Sequence, residues 1–172
     1  NEGPVSTRLG LPGNPAAAED IHVTRDLELA AITGARLHIA HVSSAGAVES
    51  IRRAKEAGIQ VTAEVTPHHL ALIDEATSGY DTNTKMAPPL RSAADRAACR
   101  KGLAEGVLDA VATDHAPHAV HEKEVDFIDA PCGVLGLETA FAVVVDLVRT
   151  GEISPSQLIR ALTENPARIL GV

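Results

Sequence analysis

The segment Asp109–His118, DAVATDHAPH, joins an apolar strand to a polar cluster, and this combination decides the fold. Its first half is short and apolar, as is typical of a buried strand. The strand delivers Asp114 to the point where the chain leaves the core, with His115 and His118 close behind. A carboxylate there can take part in proton transfer, although an aspartate in such a place also commonly caps a turn. The neighbouring histidines favour the functional interpretation.

Two earlier segments also lead from apolar into polar sequence. Arg36–His41 is a short apolar run that His41 closes. Ile59–Val65 alternates, is rich in β-branched residues and runs directly into the pair His68–His69. Because these two histidines are adjacent in what we expect to be extended backbone, they should point in opposite directions and not share a ligand role.

Helical patterns separate and follow these strands. Start and stop signals predict helices at Ala16–Thr33, from the cap Ser44 to Gly58, and from the Ser92–Asp95 capping box to Gly106. An apolar stripe from Leu137 to Val148 predicts an amphipathic helix. A last helix is expected to begin at Ser154–Pro155 and to be interrupted at Asn165–Pro166. We expect loops in Asn1–Pro15, over most of Asp74–Arg91, and in Ala116–Gly136.

The alternation of helices and strands predicts an α/β fold of parallel βα units. An open doubly wound sheet and a (β/α)8 TIM barrel both satisfy it. No glycine-rich phosphate fingerprint follows a strand, whereas polar residues gather after each strand, and this pattern favours the barrel. A complete barrel needs ~250 residues. With three clear strands, residues 1–172 are expected to form a single domain that is about half of a barrel.

Composition excludes several classes of protein. The chain is 45% hydrophobic, so it is not a disordered tail, and its formal net charge of −8 comes without a basic stripe for nucleic acid. We expect no membrane span and no signal peptide. Cys99 and Cys132 are too few for a disulfide scaffold, which favours the cytoplasm. The chain begins at Asn1 without a methionine, in a stretch that we interpret as the middle of a loop.

Other polar residues are open to two interpretations. His41 at a strand end is suited to binding zinc, but a lone histidine can equally be hydrogen-bonded inside a barrel, and His38 fits that second role better. Arg91 is expected either to bind a carboxylate or to be solvated. Cys132, before Gly133, is either a contact residue or a small, partly buried side chain.

The ordered motifs of the chain resemble those of bacterial dihydroorotases in the amidohydrolase superfamily. The resemblance runs through HVSSAGAVESIRRAKEAGI (41–59), VTAEVTPHHL (61–70), KMAPPLRS (85–92), ATDHAPH (112–118) and PCGVLGLET (131–139). It implies a TIM barrel, of which this chain is the C-terminal part, incomplete here, with one or two zinc ions. The implied reaction is the reversible hydrolysis of dihydroorotate to carbamoyl aspartate in pyrimidine synthesis, with water activated by zinc.

The resemblance also implies roles for individual residues. His41 matches a zinc ligand, and Asp114 matches both a ligand and the general base that returns its proton to the leaving nitrogen. His118 and the Cys132–Gly133 backbone match substrate-binding positions. Ala87 occupies a substrate-binding position where many relatives have asparagine, and many relatives have Phe-Gly in place of Cys132–Gly133. The family's His-x-His pair and its bridging ligand would lie upstream of this chain.

Two alternatives keep the fold. One is another cyclic amidohydrolase, acting on allantoin or a hydantoin. The other is a non-catalytic dihydroorotase-like subunit that scaffolds aspartate transcarbamoylase; the presence of His41 and Asp114 speaks against it. Expected partners are a small-molecule substrate and, in addition, a second copy of the chain or aspartate transcarbamoylase. We expect the 172 residues alone to be inactive and poorly stable, because a partial barrel leaves strand edges unpaired.

Overall fold

A computed structural model describes residues 1–172 of the chain. Nine helices and three strands follow in the order α1 (Pro4–Leu9), α2 (Ala16–Thr33), β1 (Leu37–Ile39), α3 (Ala45–Glu56), β2 (Val61–Val65), α4 (Pro67–Ala71), α5 (Ala93–Ala104), β3 (Ala110–Val111), α6 (Val120–Lys123), α7 (Ala140–Arg149), α8 (Pro155–Leu162) and α9 (Glu164–Leu170). Two short 3-10 helices, Asp74–Gly79 and Thr82–Thr84, lie between α4 and α5. None of the helices combines the length and the apolar character that a membrane crossing requires.

The three strands form one parallel sheet in the order β1-β2-β3. Leu37 pairs with Val61 across the first pair of strands, and Val65 pairs with Val111 across the second. Helices α3 and α5 lie between consecutive strands in the chain, as parallel connections require. The chain is therefore an α/β unit built from consecutive βα repeats, as the alternation of sequence patterns predicts.

Strand β2 shows how the sheet separates its two faces. Val61, Ala63 and Val65 are buried, whereas Thr62 and Glu64 alternate with them and are only partly covered. The buried face packs on the surrounding helices. The core that they form together includes the fully buried side chains of Ile51, Leu108, Leu147 and Val144. The other face of the sheet carries polar side chains, and the carboxyl ends of the strands meet at one edge of it.

Side-chain caps fix the helix starts that the sequence predicts. Ser44 accepts a hydrogen bond from the Ala47 amide at 3.2 Å. The Ser92 hydroxyl accepts from the Asp95 amide, and the Asp95 carboxylate accepts from the Ser92 amide in return. Ser154 begins α8 in the same reciprocal way. Because each cap satisfies backbone groups locally, these starts are readable from sequence alone.

Several expected boundaries are wrong. The stretch Asn1–Pro15 is not only loop, because Pro4–Leu9 is helical with proline in its first turn. A short helix, Val120–Lys123, also lies within the expected loop Ala116–Gly136. The strands are shorter than their apolar runs, since regular pairing covers only Leu37–Ile39 and Ala110–Val111.

The pair His68–His69 is helical rather than extended, which is a correction to the sequence interpretation. Thr66 caps α4 by accepting from the His69 amide at 3.2 Å, and Pro67 occupies the first helical position. Both histidine rings are buried, with centroids 4.6 Å apart. The two rings therefore pack side by side instead of pointing in opposite directions.

The C-terminal helices differ from the expected pattern in two ways. Helix α7 buries Ala140, Val144 and Leu147, whereas Leu137 lies before the helix and, like Phe141, is more than half exposed. The break between α8 and α9 falls at Thr163, and Pro166 lies in the first turn of α9 instead of interrupting a helix. Proline is tolerated there because the first-turn amides have no helical acceptor.

Candidate metal centre and substrate loop

His41 and Asp114 follow β1 and β3 at the same edge of the sheet, and both have an unusual backbone conformation. Their φ angles are 56° and 48°, in the left-handed region. A residue other than glycine held there costs roughly 1–3 kcal/mol, and such strain concentrates at functional sites. The fold therefore holds the two predicted ligands in strained positions, which aim both side chains into the same space.

The two side chains meet at a distance that suits a shared cation. His41 Nε2 lies 3.7 Å from Asp114 Oδ1, which is too long for a hydrogen bond. Two ligands ~2.0–2.2 Å from a tetrahedral zinc ion are separated by about 3.3–3.6 Å. The pair therefore fits zinc as part of a ligand set. No group of three or more histidine, cysteine, aspartate or glutamate side chains in this chain converges on one point.

A carboxylate and a second histidine lie behind His41. The Glu64 Oε1 atom is 3.0 Å from His41 Nδ1, and Oε2 is 3.2 Å from His38 Nε2. The contact with Glu64 raises the pKa of His41, although burial opposes the increase. Burial alone would raise the pKa of Glu64, but its contacts with the two histidines lower it. The predicted hydrogen-bonded role of His38 agrees with this geometry, although its side chain is partly exposed.

His68 and His69 are buried neutral imidazoles. Burial, helped by the nearby His69 and His41 rings, lowers the pKa of His68 to about 3. Burial also lowers the pKa of His69 to about 4, against the opposing hydrogen bonds to the carbonyls of Pro88 and Pro89. His68 Nε2 has no hydrogen-bond partner. Both rings therefore belong to the packing next to the strand ends.

The segment that follows His41 is held by a buried ion pair. The Glu19 carboxylate accepts from the Ser43 amide at 2.7 Å, from the Ser43 hydroxyl and from the Ser44 amide at 3.1 Å. Arg91 is 3% exposed, donates to Glu19 at 3.2 Å and also donates to the Ser43 hydroxyl. Arg91 is thus not solvated, and the carboxylate that it binds belongs to its own chain.

The predicted substrate-binding residues after β3 lie together. His118 Nε2 is 3.0 Å from the Cys132 carbonyl oxygen, so the ring donates to that backbone. Gly133 approaches this ring so closely that an added Cβ would lie 2.9 Å from His118 Cδ2 and 2.6 Å from the Ala116 carbonyl oxygen. Its φ of 149° adds to the requirement for glycine. Cys132 itself is exposed. The interpretation of Cys132 as a small, partly buried side chain is therefore wrong.

Lys123 fastens the same loop to the body of the chain. Its ammonium group donates to the carbonyl oxygens of Pro131 and Gly133, each at 2.8 Å, and of Thr82 at 3.1 Å. Burial lowers the pKa of this lysine. Three carbonyl acceptors on one cation fix the backbone on both sides of Cys132.

Ala87 lies next to this loop in a cavity of about 230 Å3. Met86, Phe127 and Cys132 contribute to the same lining. The structure therefore brings Ala87 and Cys132, two positions assigned to substrate binding, to one cavity.

Sequence reasoning misses Glu64, Glu19 and Lys123. The signal for Glu64 is present, since the alternation of IQVTAEV places it on the face opposite the buried valines. The partners of Glu19 are far away in sequence, and those of Lys123 are backbone carbonyl groups. Neither kind of contact leaves a local pattern in the sequence.

Comparisons with known proteins identify the class. Residues 8–172 match the model of the Amidohydrolase family, so the chain belongs to that family. The chain is 59% identical to a dihydroorotase of Anaeromyxobacter dehalogenans (strain 2CP-C) and 57% identical to one of Pelotomaculum thermopropionicum. In both cases the alignment includes 100% of this chain and 40% of the relative. The chain therefore spans about two fifths of the length of these relatives.

Solved structures agree on the fold. Dihydropyrimidinase from Brevibacillus agri NCHU1002 superposes with a TM-score of 0.86 at 30% identity, over 92% of this chain and 36% of that one. L-hydantoinase from Arthrobacter aurescens gives the same TM-score at 32% identity, again over 92% of this chain and 36% of the other. The likeness shows that this chain shares the fold of the matching part of these two proteins.

Proposed function

We propose that the chain is the C-terminal part of an incomplete (β/α)8 barrel from a zinc-dependent dihydroorotase. The observation that carries the hydrolase assignment is the 3.7 Å approach of His41 Nε2 and Asp114 Oδ1 at neighbouring strand ends. The choice of substrate is supported by 54–59% identity to dihydroorotases along the chain. The barrel assignment is supported by three consecutive parallel strands with their polar residues at one edge.

The proposed chemistry divides between the metal and the side chains. Zinc, when bound, polarises the ring carbonyl and makes water a nucleophile near neutral pH. His41 and Asp114 would hold it, with further ligands from outside this chain. Asp114 accepts the proton of the attacking water on a carboxylate oxygen and returns it to the ring nitrogen as the amide bond breaks. In the reverse direction Asp114 removes the proton from the carbamoyl nitrogen as the ring closes.

The substrate contacts belong to the loop that follows β3. We propose that His118 orients the substrate and that the Cys132–Gly133 backbone closes over it. The hydrogen bond from His118 to the Cys132 carbonyl supports a joint role. The side chain of Ala87 has no polar group, so at that position it contributes shape to the cavity wall and not a side-chain hydrogen bond.

A second candidate is a hydrolase of another cyclic amide, such as a hydantoin. It is favoured by the superposition on dihydropyrimidinase and L-hydantoinase at TM-scores of 0.86. The ring-opening chemistry at His41 and Asp114 would be the same, so the two candidates differ in the substrate loop. The higher identity to dihydroorotases ranks dihydroorotate first.

Steady-state assays of the intact protein with dihydroorotate, hydantoin and allantoin test the proposal. We expect dihydroorotate to be hydrolysed with the highest kcat/KM, a chelator to abolish turnover and added Zn2+ to restore it. Turnover of hydantoin or allantoin without dihydroorotate would support the second candidate. A protein that binds zinc but turns over none of the three would support a non-catalytic scaffold.

The proposal includes a cytoplasmic location, because both cysteines are free thiols, as is usual in reducing compartments. It also includes one or two zinc ions in the intact protein. A homodimer and an association with aspartate transcarbamoylase stay predictions about partners. Size-exclusion chromatography with and without aspartate transcarbamoylase tests both.

A further inference from the structure

Glu64 connects the candidate ligand His41 to a second polar pair on the sheet. One of its carboxylate oxygens is 3.0 Å from His41 Nδ1, and the other is 3.2 Å from His38 Nε2. His38 Nδ1 in turn lies 2.8 Å from Thr62 Oγ1. The glutamate side chain is 15% exposed. Three side chains on two neighbouring strands and His41, which follows the first of these strands, therefore form one continuous series of polar contacts.

The strand register explains why these groups meet. His38 on β1 pairs with Thr62 on β2, so their side chains share a face of the sheet. Glu64 follows two residues after Thr62 and lies on that face as well. A largely buried carboxylate is costly unless it is paired. The ion-pair partners of Glu64 are His38 and His41, and neither lysine nor arginine joins them.

The chemistry of the carboxylate restricts the tautomer of His41. His41 Nδ1 is buried and lies 3.0 Å from the carboxylate, although it makes no hydrogen bond in this structure. Because an ionised carboxylate only accepts hydrogen bonds, the contact favours the tautomer that carries its hydrogen on Nδ1. Nε2 is then left with its lone pair, and Nε2 is the atom that lies towards Asp114. Carboxylate partners of metal-binding histidines fix ring orientation and raise ligand basicity in this way.

We propose that Glu64 is a positioning residue, which holds His41 as the Nδ1–H tautomer with Nε2 directed at the metal. His38 and Thr62 hold Glu64 from the far side. This inference rests on the proposed metal-dependent function of His41 and Asp114. It assigns Glu64 no contact with the metal or the substrate.

The test compares Glu64→Gln with the wild-type intact protein, with Glu49→Gln on the exposed surface of α3 as the matched control. Glutamine has nearly the shape of glutamate but can donate as well as accept, so it no longer selects one tautomer. We expect the Zn2+ affinity, measured against a chromophoric chelator, to fall about 10–100-fold in Glu64→Gln. Glu49→Gln should not change it. Long-range 1H–15N NMR of the metal-free protein should report the Nδ1–H tautomer in the wild type and a mixture in Glu64→Gln.

Three results would overturn the inference. The first is an Nε2–H tautomer of His41 in the wild-type protein, an observation that does not depend on how well a variant folds. The second is an unchanged Zn2+ affinity and tautomer in Glu64→Gln. The third is a direct bond between the Glu64 carboxylate and the metal in a crystal structure of the zinc-loaded protein, because it would make Glu64 a ligand. Failure of the wild-type protein to hydrolyse dihydroorotate while it binds Zn2+ through His41 would refute the proposed substrate and support the positioning role unchanged.

Discussion

The substitution Asp114→Asn separates the chemistry of this carboxylate from its structural role. Asp114 is partly exposed at the end of β3 and has a φ of 48°. Asparagine is one of the few residues that adopts this left-handed conformation readily, and it has nearly the same shape. The change therefore leaves the backbone strain as it is. We expect the free energy of unfolding to change by no more than about 0.5 kcal/mol.

The effect on activity should be large. The amide of asparagine carries no charge for a cation and cannot take the proton of the attacking water. A positioned general base contributes about 10²–10⁴-fold to the rate, which corresponds to about 3–5 kcal/mol in the barrier. The loss of an anionic ligand adds to that amount. We therefore expect kcat of the intact protein to fall at least ~1000-fold.

The assay is dihydroorotate hydrolysis by the intact protein, with zinc content and unfolding measured on the same preparations. Asp146→Asn, on the exposed surface of α7, is the matched control and should keep wild-type kcat. A kcat within tenfold of the wild type in Asp114→Asn, with zinc bound, would refute the assignment of Asp114 as the base. A large loss of stability instead would show that the carboxylate has a structural role.

Three further predictions concern the surroundings of the site. Arg91→Met should lower the free energy of unfolding, measured with urea, by about 3–5 kcal/mol, because it leaves the Glu19 carboxylate buried without its partner. Adding Glu19→Gln should recover part of this loss. Losses that simply add in the double variant would contradict the prediction. The neutral rings of His68 and His69, with pKa values lowered to about 3 and about 4, take up protons on unfolding. The free energy of unfolding should thus decrease as the pH falls from about 6.5 towards 4, by up to ~1.4 kcal/mol per pH unit for each histidine. The same dependence of this free energy on pH after both histidines are replaced with glutamine would argue against the prediction. The exposed Cys132 should react with a thiol reagent in the native protein, and Cys132→Ser should remove one reactive thiol per chain, whereas an unchanged count would contradict its exposure.

The helix starts were predictable because their causes are local. The reciprocal Ser92–Asp95 cap lies within four residues, and the hydroxyl of Ser44 needs only the following turn. The approach of His41 to Asp114 was also accessible, since parallel strands bring their carboxyl ends to one edge of a sheet. Sequence patterns thus predicted the βα order, and with it the approach of His41 to Asp114 at neighbouring strand ends.

Other features depend on contacts that no local pattern encodes. The ion pair of Arg91 with Glu19 joins residues 72 positions apart, and the role of Glu64 depends on which residue of β1 faces it. The helical His68–His69 pair is different, because its signal was present. Thr66 followed by Pro67 is a helix start, but the preceding alternating strand makes the segment resemble a continuation in extended backbone.

The central claim is that the strand ends of this chain supply part of a zinc site. The most direct test is the zinc content of the intact protein after exhaustive dialysis, measured by atomic absorption for the wild type and for His41→Ala. We predict one or two tightly held zinc ions per chain in the wild type and the loss of at least one in the variant, with the fold retained by circular dichroism. Equal zinc content in the two proteins would contradict the claim.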